Sequence, residues 1–245
     1  MQTRIISLVN HKGGVGKTTT TLNLGKALSL CQQKVLLVDI DPQANLSISV
    51  DIREPKQSIY HALCEDKKLT VQNIAPNLDL IPADLKLSEA ESKLISGVGG
   101  YFKLKKVLSP LFKNYDFVLI DCPPSLGILT MNAIIASGEV LVIVQSQFLS
   151  VEGLDTIITL LKDLGENLQL NWEITGMLLT QTNRTVVSKD IASGLREAYA
   201  DKVLKTTIRQ NVALVEASGM RQDIFTYAPL STGAEDYMSL AKEIL

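Results

Sequence analysis

The residues best suited to chemistry form one run near the start of the chain: Asn10-His11-Lys12-Gly13-Gly14-Val15-Gly16-Lys17-Thr18-Thr19. An apolar stretch, Ile5–Val9, precedes it and a helical pattern, Thr18–Leu30, follows. Glycines between a strand and a helix let backbone N–H groups turn inward, where a Cβ would block the approach of a phosphate oxygen. The helix N-terminus at Lys17–Thr19 adds the positive end of its dipole. Lys12, Gly13, Gly14, Val15, Gly16, Lys17, Thr18 and Thr19 are therefore the candidate phosphate cradle. Lys17 is placed for the outer phosphates of a nucleoside triphosphate, and the Thr18 hydroxyl is a candidate Mg²⁺ ligand.

Three carboxylates fall where such a site needs them. Asp39 ends the run Val35–Val38, and Asp41 follows just before Pro42. Asp121 closes Phe117–Ile120, an acidic residue after an apolar strand of the kind that holds Mg²⁺ in phosphoryl-transfer proteins. Ligands of open α/β sheets sit beyond the carboxyl ends of the strands, so all three belong to the same edge.

The elements that must position these groups alternate. Strands are expected at Ile5–Val9, Val35–Asp39, Leu78–Ile81, Phe117–Asp121, Val140–Val144 and Ile174–Thr180. Most are almost continuously apolar, as strands of a parallel sheet covered on both faces are. Helices are expected at Thr18–Leu30, with Leu24, Ala27, Leu28 and Cys31 on one stripe, and at Gly153–Leu164. A last helix opens on a capping box, Thr232 with Glu235, and carries Tyr237, Leu240 and Ala241 at helical spacing. Gly97–Gly100 reads as a loop before the basic run Lys103–Lys106. With no repeat or linker, the 245 residues read as a single α/β domain, residues 1–245, doubly wound and mostly parallel, with helices on both faces.

Composition narrows the function classes. The chain is 46% hydrophobic and 20% charged, which fits a globular protein. Its net charge of −2 confines any nucleic-acid contact to a local patch. Cys31, Cys64 and Cys122 have no metal-ligand spacing and suit reduced, space-filling roles in a reducing cytosol. No signal peptide is visible before Ile5, and no apolar run approaches the ~20 residues that span a bilayer.

The second lysine, Lys12, makes the loop KGGVGKTT, the deviant Walker A signature. With VLLVDIDPQAN (35–45), YDFVLIDCPPSLGILTMNAI (115–134) and VEGL (151–154), the sequence resembles the ParA/Soj/MinD family, ParA/Soj most closely, over nearly its whole length. The resemblance implies a P-loop NTPase fold, ATP and Mg²⁺ as cofactors, and ATP hydrolysis. It also implies an ATP-dependent homodimer in which Lys12 reaches the partner's phosphates. Lys12, Lys17 and Asp41 become the catalytic candidates, Asp41 as the group that positions or polarises the attacking water. Thr18, Asp39 and Asp121 become the metal-site candidates. In the family the base is held late in the chain, which points to Asn183, Arg209 and Asn211; both asparagines equally suit turn positions. Two departures stand out: Ala44 replaces the usual glycine of the first switch, and Ala213 replaces an arginine common among DNA-binding members.

From Arg184 to Arg221 there are seven basic residues against four acidic, a local charge of about +3. Such a stretch can hold DNA phosphates without reading bases, and Arg184, Lys189, Lys205, Arg209 and Arg221 are the candidate contacts. A solvated mixed face is the plainer reading. The expectation is a cytoplasmic, nucleoid-associated switch that binds double-stranded DNA nonspecifically, with a ParB-like activator, and positions or segregates DNA. The alternatives are a ParA-like ATPase for a protein cargo and a MinD-like ATPase at a membrane surface. The second needs a basic amphipathic C-terminal helix, and Asp236–Leu245 is instead short and mixed in charge, so no stable membrane association is expected. An iron–sulfur role would need a thiolate pair beyond Cys122.

Overall fold

The computed structural model describes residues 2–146, 151–169 and 172–245. Its strands are β1 (Arg4–Val9), β2 (Val35–Asp39), β3 (Gln72–Ala75), β4 (Leu78–Ile81), β5 (Phe117–Asp121), β6 (Glu139–Gln145), β7 (Glu173–Thr182) and β8 (Val203–Arg209). The helices are α1 (Lys17–Leu30), α2 (Asn45–Ile48), α3 (Ile59–Cys64), α4 (Leu87–Ser96), α5 (Lys103–Phe112), α6 (Ile128–Ser137), α7 (Val151–Leu168), α8 (Val186–Tyr199), α9 (Val212–Gly219), α10 (Ile224–Tyr227) and α11 (Thr232–Ile244). All six expected strands are present. Of the VEGL motif, the surroundings of residues 151–153 lie outside the description.

One eight-stranded sheet runs β3-β4-β2-β5-β1-β6-β7-β8, and every pair except β3/β4 is parallel. Side-chain alternation along each strand feeds two cores. Leu36 and Val38 of β2 face one, with α3 to α8; Val35 and Leu37 face the other, with α1 and α9 to α11. This is the doubly wound sheet with helices on both faces. Close approach sets α1 on the sheet: a Cβ on Gly25 would lie 2.5 Å from Leu37 Cδ2. The winding reverses at β1, where β5 fills the gap toward β2 and β6 takes the other side. The crevice at the carboxyl end of β1 is thus the switch point, and all three candidate carboxylates border it.

Two strands were not expected from the sequence, β3 and β8, both at sheet edges. Their residues, QNIA and VLKTTIR, are too polar to read as buried strands. The last helix begins one residue earlier than its capping box implied. Ser231 is the N-cap, its hydroxyl accepting from Ala234 N, while Thr232 is the first helical residue. Tyr237, Leu240 and Ile244 of α11 are buried in the core, at about 1.5–3 kcal/mol for each large apolar side chain. On the outer side of β8, Glu243 accepts from the backbone N–H groups of Lys205 (2.7 Å) and Thr206 (2.8 Å), and Asp236 accepts from Arg209 N (2.9 Å). Burial raises the Glu243 pKa, but these hydrogen bonds outweigh it and hold the carboxyl below its ordinary value.

Candidate nucleotide site

The loop between β1 and α1 closes on itself. Asn10 Oδ1 accepts from Lys12 N (2.9 Å), and its amide donates to Ile143 O on β6. Lys17 Nζ donates to Lys12 O (2.9 Å), spanning the loop. Gly14 (φ 74°) and Gly16 (φ 96°) take left-handed backbone, which a side chain would strain. β7 supports the loop from behind: Thr180 Oγ1 donates to Val15 O (2.7 Å), and Gln181 Nε2 to Gly14 O (2.8 Å). Val15 points its side chain into the core, so it offers the cleft only backbone. Gly13 is exposed, and a Cβ there meets nothing within 4 Å. Lys12 is half-buried at the same rim.

Beneath the loop the strand ends bring the carboxylates together. Asp39 and Asp121 are register partners on adjacent strands and both are fully buried. Asp121 accepts from Thr18 Oγ1 (2.7 Å) and Thr21 Oγ1 (3.2 Å). Burial raises the pKa of each carboxyl, and Asp39 raises Asp121 further. Lys17 is pushed down by burial, with Asp121 opposing. Asp41 is 7% exposed and lines the cleft of about 440 Å³ that also touches Gly13, Lys17 and Thr18.

This donor set fits Mg²⁺ better than a metal needing a protein cage. No group of three or more His, Cys, Asp or Glu side chains is poised to hold an ion among the described residues. Mg²⁺ is commonly held by one or two carboxylates or hydroxyls together with substrate phosphates and water. Thr18 and Asp121, hydrogen-bonded to each other, could supply that partial shell. Asp39 differs: Oδ1 accepts from Asp41 N (3.1 Å), and Oδ2 from Ser47 N (2.9 Å) and Ser47 Oγ (2.7 Å), so both of its oxygens are already engaged.

A second cavity of about 340 Å³ opens beside the loop, between Gly16, Thr19, Arg209, Asn211, Leu214 and Tyr237. Two of the three base candidates border it. Asn211 spends its side chain on structure, with Oδ1 capping α9 through Ala213 N (2.8 Å) and Nδ2 donating to Thr232 Oγ1 (2.7 Å). Asn183 is not brought to this cavity. It lines a separate surface hollow with Arg184, Arg209 and Gln210, and its Oδ1 accepts from Thr185 N and Oγ1.

The candidate DNA contacts are spread over several elements. Arg184 precedes α8, Lys189 lies on α8, Lys205 and Arg209 on β8, and Arg221 follows α9. Arg184, Lys189 and Lys205 are exposed. Arg209 is clamped by Asp236 (2.6 Å) and Glu235 (3.2 Å), and Arg221 by Asp51 (3.0 Å).

Comparison with known proteins bears directly on this geometry. The AAA domain family model matches residues 3–174. The sporulation initiation inhibitor protein Soj of Bacillus subtilis is 40% identical over 98% of both chains. The chromosome partitioning protein ParA of Caulobacter vibrioides is 36% identical over 99% of this chain and 94% of its own. The chain belongs to the ParA/Soj family. Among solved structures, this ParA/Soj member superposes on cobyrinic acid a,c-diamide synthase from Mycobacterium smegmatis with bound ATP analog and magnesium (TM-score 0.85, 31% identity, 98% and 93% of the two chains). It likewise matches the septum site-determining protein MinD with Mg-ADP from Pyrococcus horikoshii (TM-score 0.80, 28% identity, 99% and 96%).

Several side chains that shape the site in this ParA/Soj chain escape motif reading. Thr180 and Gln181 lie some 165 residues from the loop they support, joined to it only by strand order. Asn10 had a signal, since it sits immediately before the loop. Ser47 had none beyond lying near Asp39.

Proposed function

We propose that this chain is a Mg²⁺-dependent ATPase that forms an ATP-bound homodimer, binds double-stranded DNA nonspecifically and positions or segregates DNA with a ParB-like activator. The observation that carries this reading is the convergence of Lys17, Thr18 and Asp41 on one cleft beside a closed phosphate loop, with buried Asp121 hydrogen-bonded to Thr18. ATP phosphates would lie against the loop N–H groups and Lys17. Mg²⁺ would lie by Thr18 and Asp121, where it neutralises charge on the phosphates. Asp41, at the cleft wall, would orient water toward the outer phosphate, and Lys12 would reach the partner's phosphates once two copies meet. The base would occupy the cavity lined by Arg209 and Asn211. One sheet gathers strands from Arg4 to Arg209, which supports reading residues 1–245 as one unit.

The Caulobacter relative is a chromosome partitioning protein, which supports DNA as cargo and a nucleoid location. A membrane-surface role draws less support, because α11 spends its apolar face on the core. No helix among the described residues is long and apolar enough to cross a membrane. The deciding experiment uses Asp41→Ala with ATP and Mg²⁺. Light scattering should report a persistent dimer with turnover lost, and that dimer should shift a random DNA duplex at low salt. Wild-type turnover would remove Asp41 from the chemistry, and a dimer that leaves DNA unshifted would remove DNA as the track.

A further inference from the structure

We propose that Ser47 is a positioning residue for hydrolysis: its hydroxyl ties Asp39 to the exit of β4 and so fixes the loop that carries Asp41. The proposal rests on the reading of Asp41 given above.

Sheet pairing between β2 and β4 ends at Val38↔Ile81. On the β5 side the ladder runs on to Asp39↔Asp121 and to Ile40 N, which donates to Asp121 O (3.2 Å), but on the β4 side it holds nothing further. Ser47 takes over. Its Oγ donates to Asp39 Oδ2 (2.7 Å) and accepts from Ala83 N (3.0 Å), two residues past the end of β4. Ser47 and Asp39 are both 0% exposed and Ala83 is 1% exposed, so water does not compete for these bonds. Asp39 passes the constraint on, because its Oδ1 accepts from Asp41 N (3.1 Å). The result is a continuous chain from the β4 backbone through Ser47 and Asp39 to the backbone of Asp41.

The local structure gives this chain its weight. α2 has only four residues, and its N-cap, Ala44, has no side chain to accept from the first turn. Asp39 fills that part by accepting from Ser47 N (2.9 Å). Ala44 N bonds to Asp41 O (2.8 Å) and Asp41 Oδ1 accepts from Gln43 N (2.9 Å), so the loop is a small closed unit. Asp39 anchors its base, and Ser47 anchors Asp39. With both Asp39 oxygens engaged in this way, Asp39 serves the site through the position of Asp41.

A group that orients water loses rate steeply when displaced by a fraction of an ångström, while nucleotide binding, carried by the loop and Lys17, stays intact. In steady-state ATPase assays on the full chain, Ser47→Ala should lower kcat by about tenfold or more and leave KM for ATP within about twofold. Ser47→Thr, which restores the hydroxyl, should recover most of the rate. Ser47→Ala in an Asp41→Ala background should cost nothing further, because Ser47 acts through Asp41. If Ser47→Ala fails to fold, Ser47→Cys, with a similar volume and a weaker donor, is read the same way. A wild-type kcat in Ser47→Ala would overturn this proposal alone. So would a loss that Thr does not rescue, or one that adds to the loss from Asp41→Ala. Full activity in Asp41→Ala would overturn the reading of Asp41 and this proposal with it.

Discussion

At the ends of β1, β2 and β5, Lys17, Asp39 and Asp121 are buried, and each is hydrogen-bonded to a neighbouring segment. Between Arg184 and Arg221 the basic side chains are largely exposed, and Arg209 and Arg221 are already paired with carboxylates. Charge in the first region is directed by the backbone. In the second it is only accumulated. A net charge of +3 counted along a sequence therefore overstates what a DNA phosphate would meet, because pairing partners such as Asp51 and Asp236 lie outside the counted stretch. The cleft has no such hidden subtraction, since its groups sit at strand ends whose spacing the sheet sets.

The largest effect should come from the cleft. Lys17→Ala leaves the outer phosphates without their buried cation, and ATP affinity by calorimetry should fall about a hundredfold. Gly13→Val comes next. A Cβ at Gly13 meets nothing within 4 Å in its own protomer, so the fold should hold while dimerisation weakens about thirtyfold by light scattering, more than ATP affinity falls. Equal loss of both would mean that the loop itself had collapsed. In the basic stretch the effects should be smaller and opposite in sign at paired residues. Arg221→Glu should weaken DNA binding by about tenfold in low-salt anisotropy titrations. Asp51→Asn, which frees Arg221 and suits the left-handed backbone at φ 61°, should strengthen it about twofold. No gain from Asp51→Asn would show that Arg221 faces away from the duplex, and the contrast between the two regions would sharpen to one of position as well as pairing.

The smallest effect concerns Ala44, held at φ 52° in the loop that carries Asp41. Glycine there would relieve about 1–2 kcal/mol of left-handed strain. It would cost about 0.5–1 kcal/mol in chain entropy and about 0.8 kcal/mol for the lost methyl of a residue only 7% exposed. These terms nearly cancel, so Ala44→Gly should move the melting temperature by less than about 2 °C. A larger shift would mean that this loop stores or releases more strain than its backbone angle suggests.

This contrast also explains what could be read from the sequence. Apolar runs ending in Asp39 and Asp121, and a glycine loop ending in Lys17-Thr18, advertise both their elements and their site, because a strand buried on both faces must be apolar until it reaches the ligand. The edge strands β3 and β8 were hidden by their polarity, which is what an edge requires. Thr180, Gln181 and Ser47 were hidden for a different reason. Each supports the site through a contact created by strand order or by a short helix, and no local spacing encodes it. Asn183 and Asn211 offered amides suited to a base, yet Thr185 and the first turn of α9 have first claim on them.

The carboxylates of α11 along β8 bear on how such a chain can self-associate. An exposed edge strand invites another edge to add to it. Glu243 and Asp236 occupy the backbone donors of Lys205, Thr206 and Arg209 with side chains from the same molecule. A second chain approaching this edge finds those donors taken and negative charge in its way. The fold thereby closes a route to open-ended fibres at β8, at the opposite flank of the sheet from β3.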